Sequence, residues 1–143
     1  MTLQTMLERE EGREHNAYAD PLTHGEPYTI GIGHTGPEVH LGLTWDDEQI
    51  DAAFDADVQK ATQGCSNAFA WFDSLDDVRQ AVLIAMCFQM GIRGLQSFSG
   101  TLSFIASGDY VMAAQHMRVS LWAHQTPARA NRMADQMLTG AWQ

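Results

Sequence analysis

Positive charge is scarce in this sequence of 143 residues: eight Lys and Arg stand against 18 Asp and Glu, a formal net of −10. The deficit is local. Residues 1–64 hold 13 acids and three bases, whereas residues 65–143 hold five of each. A surface that binds a phosphate backbone needs the opposite sign, which argues against nucleic acid as a partner. Long apolar runs are missing too. Nothing approaches the roughly 18–20 consecutive apolar residues that span a bilayer, so no stable membrane association is expected. The opening MTLQTMLEREEG has neither a basic n-region nor an apolar h-region, and no signal peptide is expected. Cysteine is limited to Cys65 and Cys87, at no metal or redox spacing, and both read as free thiols in or near the core. The six histidines form no HExxH or other zinc spacing, so neither a metal site nor a cofactor is called for.

What is present is an ordinary soluble balance, 45% apolar and 18% charged residues, in a chain long enough to bury a core. Leu3, Met6 and Leu7 make the stripe of a short amphipathic helix over 2–11, with Thr2 as cap and Gly12 as stop. Residues 16–43 are broken by Gly and Pro and read as strands and turns. Thr44 looks like an N-cap, and helical spacing then runs from about 45 to 63, a rod of about 28 Å that could join two lobes. Beyond Gly64 everything reads as helix. Residues 76–90 contain AVLIAMCF, apolar all round, which marks a helix buried on every side. Further helices are predicted at about 98–106, 109–120 and 127–138, the last with Thr126 as cap, Pro127 at its first position and Gly140 as stop. There is no internal repeat. The fold class is α+β, a single domain: a small β-containing lobe over 12–44, the connecting helix, and an all-helical lobe over 64–143 to which helix 2–11 is added.

The stretch YTIGIGHTG carries G-x-G-x-x-G at Gly31, Gly33 and Gly36. A dinucleotide fingerprint must open a helix within a βαβ unit. Here Gly36 precedes Pro37 and EVHLGL, which has no helical period, so the nucleotide reading fails on context. Strand alternation offers another reason. Ile30 and Ile32 point one way, while Thr29, Gly31 and Gly33 present one hydroxyl and then no side chains. Glycine in a strand marks either tight packing or the close approach of a ligand.

Acids upstream give that ledge a chemical context. Glu8 and Glu14 read as a solvated face. Glu11 lies four residues after Leu7, on the continuation of the apolar stripe, where desolvation disfavours a charged carboxyl. Glu10, seven after Leu3, has the same claim, and periodicity does not separate the two. Asp20 sits in a loop ahead of Pro21, where turn formation is the competing role. One acid in an apolar setting and one in a polar loop is the split that assigns acid and base roles in glycosidases.

In these segments and further along, the chain resembles the phage-type lysozymes, glycoside hydrolase family 24. LEREEG…AYADP…YTIGIGH is similar to that family's catalytic segment, and FDSLDDVRQAVLIAMCFQMG and SLWAHQTPARANRM to its core and C-terminal helices. The resemblance covers nearly the whole chain. It implies an endolysin, a muramidase that cuts the β-1,4 bond between N-acetylmuramic acid and N-acetylglucosamine in the glycan strands of peptidoglycan, with inversion. It implies Glu11 as proton donor, Asp20 as second carboxylate and Thr29 as the hydroxyl that helps hold the attacking water. It further implies Arg129 as partner of the acid, His34 and Asp57 as a structural ion pair, and Gly31, Phe88, Gln89, Thr101 and His116 as positions along the sugar chain. For Phe88, core packing is an equal competitor, and Met86, Met90 and Met117 read as core filler.

Three departures stand out. PLTHGEPY between Asp20 and Thr29 is longer than in the best-matching members, TGPEVHLGLTWDD matches the compact branch, and the small lobe is acidic where many relatives are basic. The acidic lobe should be repelled at long range by an anionic wall, a repulsion that salt screens. The expected setting is the host cytoplasm before lysis and the periplasmic peptidoglycan after it. The enzyme is expected as a monomer that depends on a separate holin-like, membrane-permeabilising protein for release. The rival readings are a virion-associated or non-cutting glycan-binding module on the same fold, and a lytic transglycosylase.

Overall fold

The computed structural model describes residues 1–21 and 23–143. Helix α1 spans Leu3–Glu11 and opens with a capping box: the Thr5 N–H donates to the Thr2 side chain, and the Thr5 side chain reaches the Thr2 backbone. It closes at Gly12, whose φ of 76° only glycine adopts without strain. Strands β1 (Glu14–Tyr18), β2 (Thr29–Gly31) and β3 (His34–Thr35) form one antiparallel sheet in the order β1-β2-β3. Tyr18 lies opposite Thr29, and Thr29 in turn opposite Thr35.

Helix α2 (Asp47–Ala68) starts later and ends later than its sequence suggests. Its cap is Asp46 rather than Thr44. Asp46 Oδ1 accepts the Gln49 N–H at 2.8 Å, and the Gln49 side chain answers the Asp46 N–H at 2.9 Å. The Thr44 hydroxyl is engaged elsewhere, donating to Asn16 across an isolated bridge. At the far end α2 runs through Gly64. A mid-helix glycine costs about 0.5–1 kcal/mol, which the burial of Ala61 and Cys65 on either side outweighs.

A short 3-10 turn at Phe72–Ser74 leads into α3 (Asp77–Gln96), capped by Asp76. All seven residues from Ala81 to Cys87 are buried, as an all-round apolar run requires. Gly91, at φ 76° and ψ 167°, breaks α3 into a long piece and a last short one. Then come α4 (Ser99–Ala106), α5 (Tyr110–Arg118), α6 (Leu121–Gln125) and α7 (Pro127–Thr139). The predicted 109–120 helix is therefore shorter, because Ser120 starts α6 as its cap. Gly140 ends α7 in the left-handed region.

The chain divides into two compact units, Met1–Lys60 and Ala61–Gln143, with the boundary inside α2. The first unit takes in α1, which the sequence reading groups with the helical lobe. The second unit is built on α5 and α7, packed against each other and against α4, α6 and α3. Among the described residues no single helix is long and apolar enough to cross a membrane.

Arg79 of α3 closes the C-terminus of α7. Its Nε–H donates to the Met137 carbonyl at 2.7 Å and a terminal N–H to that of Leu138 at 3.1 Å. Its guanidinium carbon stands 3.7 Å from the centre of the Tyr110 ring. We predict that Arg79→Ala lowers stability by about 3 kcal/mol, because it removes the charged hydrogen bonds and the cation–π interaction at once. Arg79→Lys should recover little, since an ammonium cannot reproduce the fork. Urea unfolding measures both, and a loss below about 1 kcal/mol would mean that water caps α7 equally well.

Candidate active site

The G-x-G of the sequence is a hairpin turn and not a continuous strand face. β2 stops at Gly31, and the chain turns through Ile32 and Gly33 before β3. Both glycines have positive φ, 67° and 65°. Ile30 and Ile32 are buried, at 0% and 1% exposure. Gly31 is buried as well: a Cβ there would meet Ile50 and Trp45 at 3.4–3.5 Å. Those are ordinary contacts, so its positive φ in the turn, and not packing, is what favours glycine there.

Gly33 faces the acid. A Cβ added to it would lie 3.0 Å from Glu11 Cγ and 3.0 Å from Oε2. Glu11 is the last residue of α1, and its carboxyl is half-buried against that backbone. Glu10 has a side chain only 3% exposed and paired with Arg9 Nε at 3.2 Å, and both acids are half-buried as residues. Burial therefore does not separate them; the approach to Gly33 belongs to Glu11.

Tyr18 links the remaining groups, and sequence reasoning missed it. It sits across the sheet from Thr29 and its phenol hydrogen-bonds the Thr29 side chain. Burial pushes the phenol above its usual pKa. The charges of Glu11 and Glu14 push the same way, the Thr29 hydrogen bond pulls back, and Asp20 adds to the rise. Glu11, Glu14, Asp20 and Thr29 therefore all act on the one phenol. Asp20 is oriented by its own loop. Its Oδ1 accepts the Thr23 N–H at 3.1 Å, its N–H donates to the Gly25 carbonyl, and its carbonyl accepts the His24 N–H. Thr23, His24 and Gly25 thus close a turn on Asp20, the competing role that the sequence allows.

His34 carries two partners. Nδ1 lies 2.6 Å from Asp57 Oδ2 and Nε2 lies 2.6 Å from Glu38 Oε1, with Trp45 against the ring. The sequence reading holds Asp57 alone; Glu38, four residues on, was the available signal. The hydrogen bond to Asp57 is the largest cause of a His34 pKa raised to about 9. Glu38 is held below its usual range, chiefly by His34.

In the second unit, a cavity of about 560 Å³ is lined by Gln89, Thr101 and His116, together with Phe98, Ser99 and Trp122. Thr101 is only 4% exposed. His116 packs over Gly100, where a Cβ would come within 3.0 Å of Nδ1, and meets Phe104 edge-on. Trp122 Nε1–H donates to Gln89 Oε1 at 2.9 Å. An indole only donates, so the Gln89 amide is held with its oxygen toward Trp122 and its N–H groups free to turn to a ligand as donors. Phe88 is half-buried outside this lining, and Met90 lines the cavity while Met86 and Met117 fill the core. Arg129 stands in the first turn of α7.

The sequence profile of the family described as phage lysozyme matches residues 8–136. The "Probable T4-type lysozyme 1" of Dictyostelium discoideum is 29% identical over 164 aligned residues, covering 97% of this chain and 95% of that protein. A second Dictyostelium protein, "Probable T4-type lysozyme 2", has the same identity and coverage. The "Pre-baseplate central spike protein Gp5" of Enterobacteria phage T4 is 31% identical over 98% of this chain, which spans only 28% of that longer protein.

The approach of Gly33 to Glu11 can be tested directly. Gly33→Ala should cut hydrolytic turnover about a hundredfold by displacing Glu11, at a stability cost of about 1–2 kcal/mol for its positive φ. Gly42→Ala, at φ 96° with open space around it, should show a similar stability cost with turnover intact. Equal turnover in the two variants would dissociate Gly33 from the acid. For His34, the folded pKa of about 9 exceeds the unfolded 6.5. Its ion pairs thus stabilise fully below about pH 6.5, and that contribution fades as pH rises through about 9. The stability gap between wild type and Asp57→Asn should therefore shrink between about pH 6 and about pH 10 in urea titrations, and a constant gap would contradict the assignment.

Proposed function

The chain belongs to the phage lysozyme family and is a lysozyme, a glycoside hydrolase; from that premise we propose that it cuts peptidoglycan strands by inversion, with Glu11, Asp20 and Thr29 as the reacting shell. The observation that carries this reading is the Glu11 carboxyl seated against Gly33, with Asp20 and Thr29 gathered around the same phenol. Glu11 gives its proton to the departing oxygen as the bond between that oxygen and C1 of N-acetylmuramic acid breaks. A water held by Asp20 and Thr29 forms the new bond to C1 from the opposite face and passes a proton to Asp20. The cavity of the second unit binds neutral sugar through donors and an apolar floor: Gln89 offers N–H groups to an N-acetyl carbonyl, Thr101 a hydroxyl, His116 and Phe98 ring faces.

In the cell we propose host lysis: the enzyme gathers in the cytoplasm and reaches the wall once a separate holin-like protein opens the membrane. The likeness to a phage spike protein supports a second setting, in which the same hydrolase is carried on the virion. Mass spectrometry of purified virions separates the two, since only the second predicts this chain among the structural proteins.

The chemistry is tested by digesting purified peptidoglycan. Glu11→Gln should lower the release of reducing ends by at least about a thousandfold while leaving the unfolding midpoint near that of wild type. The first product detected by NMR should be the α-anomer of N-acetylmuramic acid. Substantial residual cutting by Glu11→Gln removes Glu11 from the mechanism, an initial β-anomer removes inversion, and 1,6-anhydro ends would mark a transglycosylase.

A further inference from the structure

Thr29 activates a nucleophilic water best when its hydroxyl accepts from that water. A threonine hydroxyl has one hydrogen to give and two lone pairs to offer, and it rotates to suit its neighbours. The water that attacks must keep a lone pair for carbon and donate its hydrogens to acceptors. If Thr29 donated to the water instead, it would take up one of the oxygen's two lone pairs and draw electron density from the other. A separate acceptor for the Thr29 hydrogen therefore favours attack.

The register supplies the candidate. Tyr18 and Thr29 are opposite residues of β1 and β2, so their side chains leave the same face of the sheet, and their hydroxyls share a hydrogen bond. The phenol's other charged neighbours are the carboxylates of Glu11, Glu14 and Asp20, groups that accept and, when ionised, cannot donate. The phenolic hydrogen is drawn to that acidic side, which leaves the phenolic oxygen to accept from Thr29. Burial and the same charges keep the phenol protonated, so this polarity persists at working pH.

We propose that Tyr18 is a positioning residue: its phenolic oxygen takes the hydrogen of the Thr29 hydroxyl, so that Thr29 and Asp20 both present acceptors to the attacking water. This rests on the roles given to Thr29 and Asp20 above. The stiff χ1 of a β-branched threonine shares the task, since it fixes where the oxygen sits while Tyr18 fixes which way the hydrogen points.

The test is steady-state hydrolysis of soluble, uncross-linked glycan strands by the full chain. Tyr18→Phe removes one oxygen from a near-isosteric ring, and kcat should fall about tenfold with KM within about twofold of wild type. In a Thr29→Ala background the same change should cost nothing further. In a Thr29→Ser background, where the methyl no longer fixes the rotamer, it should cost more than tenfold. A purely structural role would lower stability and spread across all backgrounds alike. An unchanged kcat in Tyr18→Phe, or an equal loss with and without Thr29, overturns the proposal. If Thr29→Ala itself retains wild-type kcat, the water-holding role of Thr29 falls and this proposal with it. If Thr29→Ala is impaired and Tyr18→Phe is not, only the Tyr18 role is lost. Should Tyr18→Phe fold poorly, mono-, di- and trifluorotyrosine at position 18 keep the shape and weaken the oxygen as acceptor. A stepwise fall in kcat supports the role, and a flat series overturns it.

Discussion

The Glu11 carboxyl lies 3.0 Å from where a Gly33 β-carbon would be, so that any side chain there would push the acid aside, and the proposed chemistry of the first unit depends on this close approach. The constraint works outward in both directions along the chain. Glu11 must be the final residue of α1, because the helix has to stop before the sheet begins, and Gly12 stops it with a conformation closed to other residues. β1 then delivers Tyr18 two residues before Asp20. β2 returns Thr29 to Tyr18, and the hairpin turn brings Gly33 back to the starting acid. The proposed reacting groups therefore lie within one continuous stretch, residues 11–33. Their relative positions are set by a helix stop, a sheet register and a turn, all of them short-range features that fold together.

Short range is also what made much of this legible beforehand. The cap of α1, the buried run of α3 and the Pro127–Gly140 bracket depend on residues within one or two turns of each other, which is where sequence patterns carry physical meaning. Thr126 holds the N-cap position of α7, but its hydroxyl donates to the Trp122 carbonyl instead of capping. The errors fall where a distant partner intervenes. Thr44 has the chemistry of a cap, but Asn16 takes its hydroxyl, and the helix starts at Asp46 instead. Gly64 has the propensity of a stop, but burial on either side carries α2 past it. The glycines at 31 and 33 fit a strand by alternation, and what decides against it is positive φ, which no side-chain pattern reveals.

The site followed the same division. Motif resemblance supplied Glu11 where helical period left a tie with Glu10, and both acids are half-buried, so burial does not break the tie either. A carboxyl that is 3% exposed and paired with an arginine is well placed to tie down a helix end. One that is half-open beside a glycine can meet a substrate. Glu38 and Tyr18 were passed over for a related reason. Each acts through a partner brought by the hairpin, His34 in one case and Thr29 in the other, and neither the spacing of Glu38 from His34 nor the place of Tyr18 in AYADP names that partner.

Charge distinguishes the two halves in a way that bears on both parts of the proposed reaction. In the first unit Arg13 alone meets Glu8, Asp47 and Asp51, and His15 adds a second contact to Asp47. The clustering holds the Arg13 guanidinium firmly charged, with the hydrogen bond to Asp51 the largest cause. Part of the acid excess is thus consumed in fastening the end of α1 to the start of α2, and Glu8 belongs to that fastening, contrary to its reading as a solvated side chain. Among the described residues, the cavity of the second unit has no carboxylate in its lining and offers amide, hydroxyl and ring surfaces. Neutral sugar suits such a lining, because hydroxyls and N-acetyl groups exchange hydrogen bonds with water for equivalent ones without the desolvation penalty of an ion. Acidity that serves internal fastening and the proposed proton transfer is concentrated in residues 1–60, and the surface proposed to recognise the glycan is free of carboxylates, so the long-range repulsion implied by a net of −10 need not act at the contact itself.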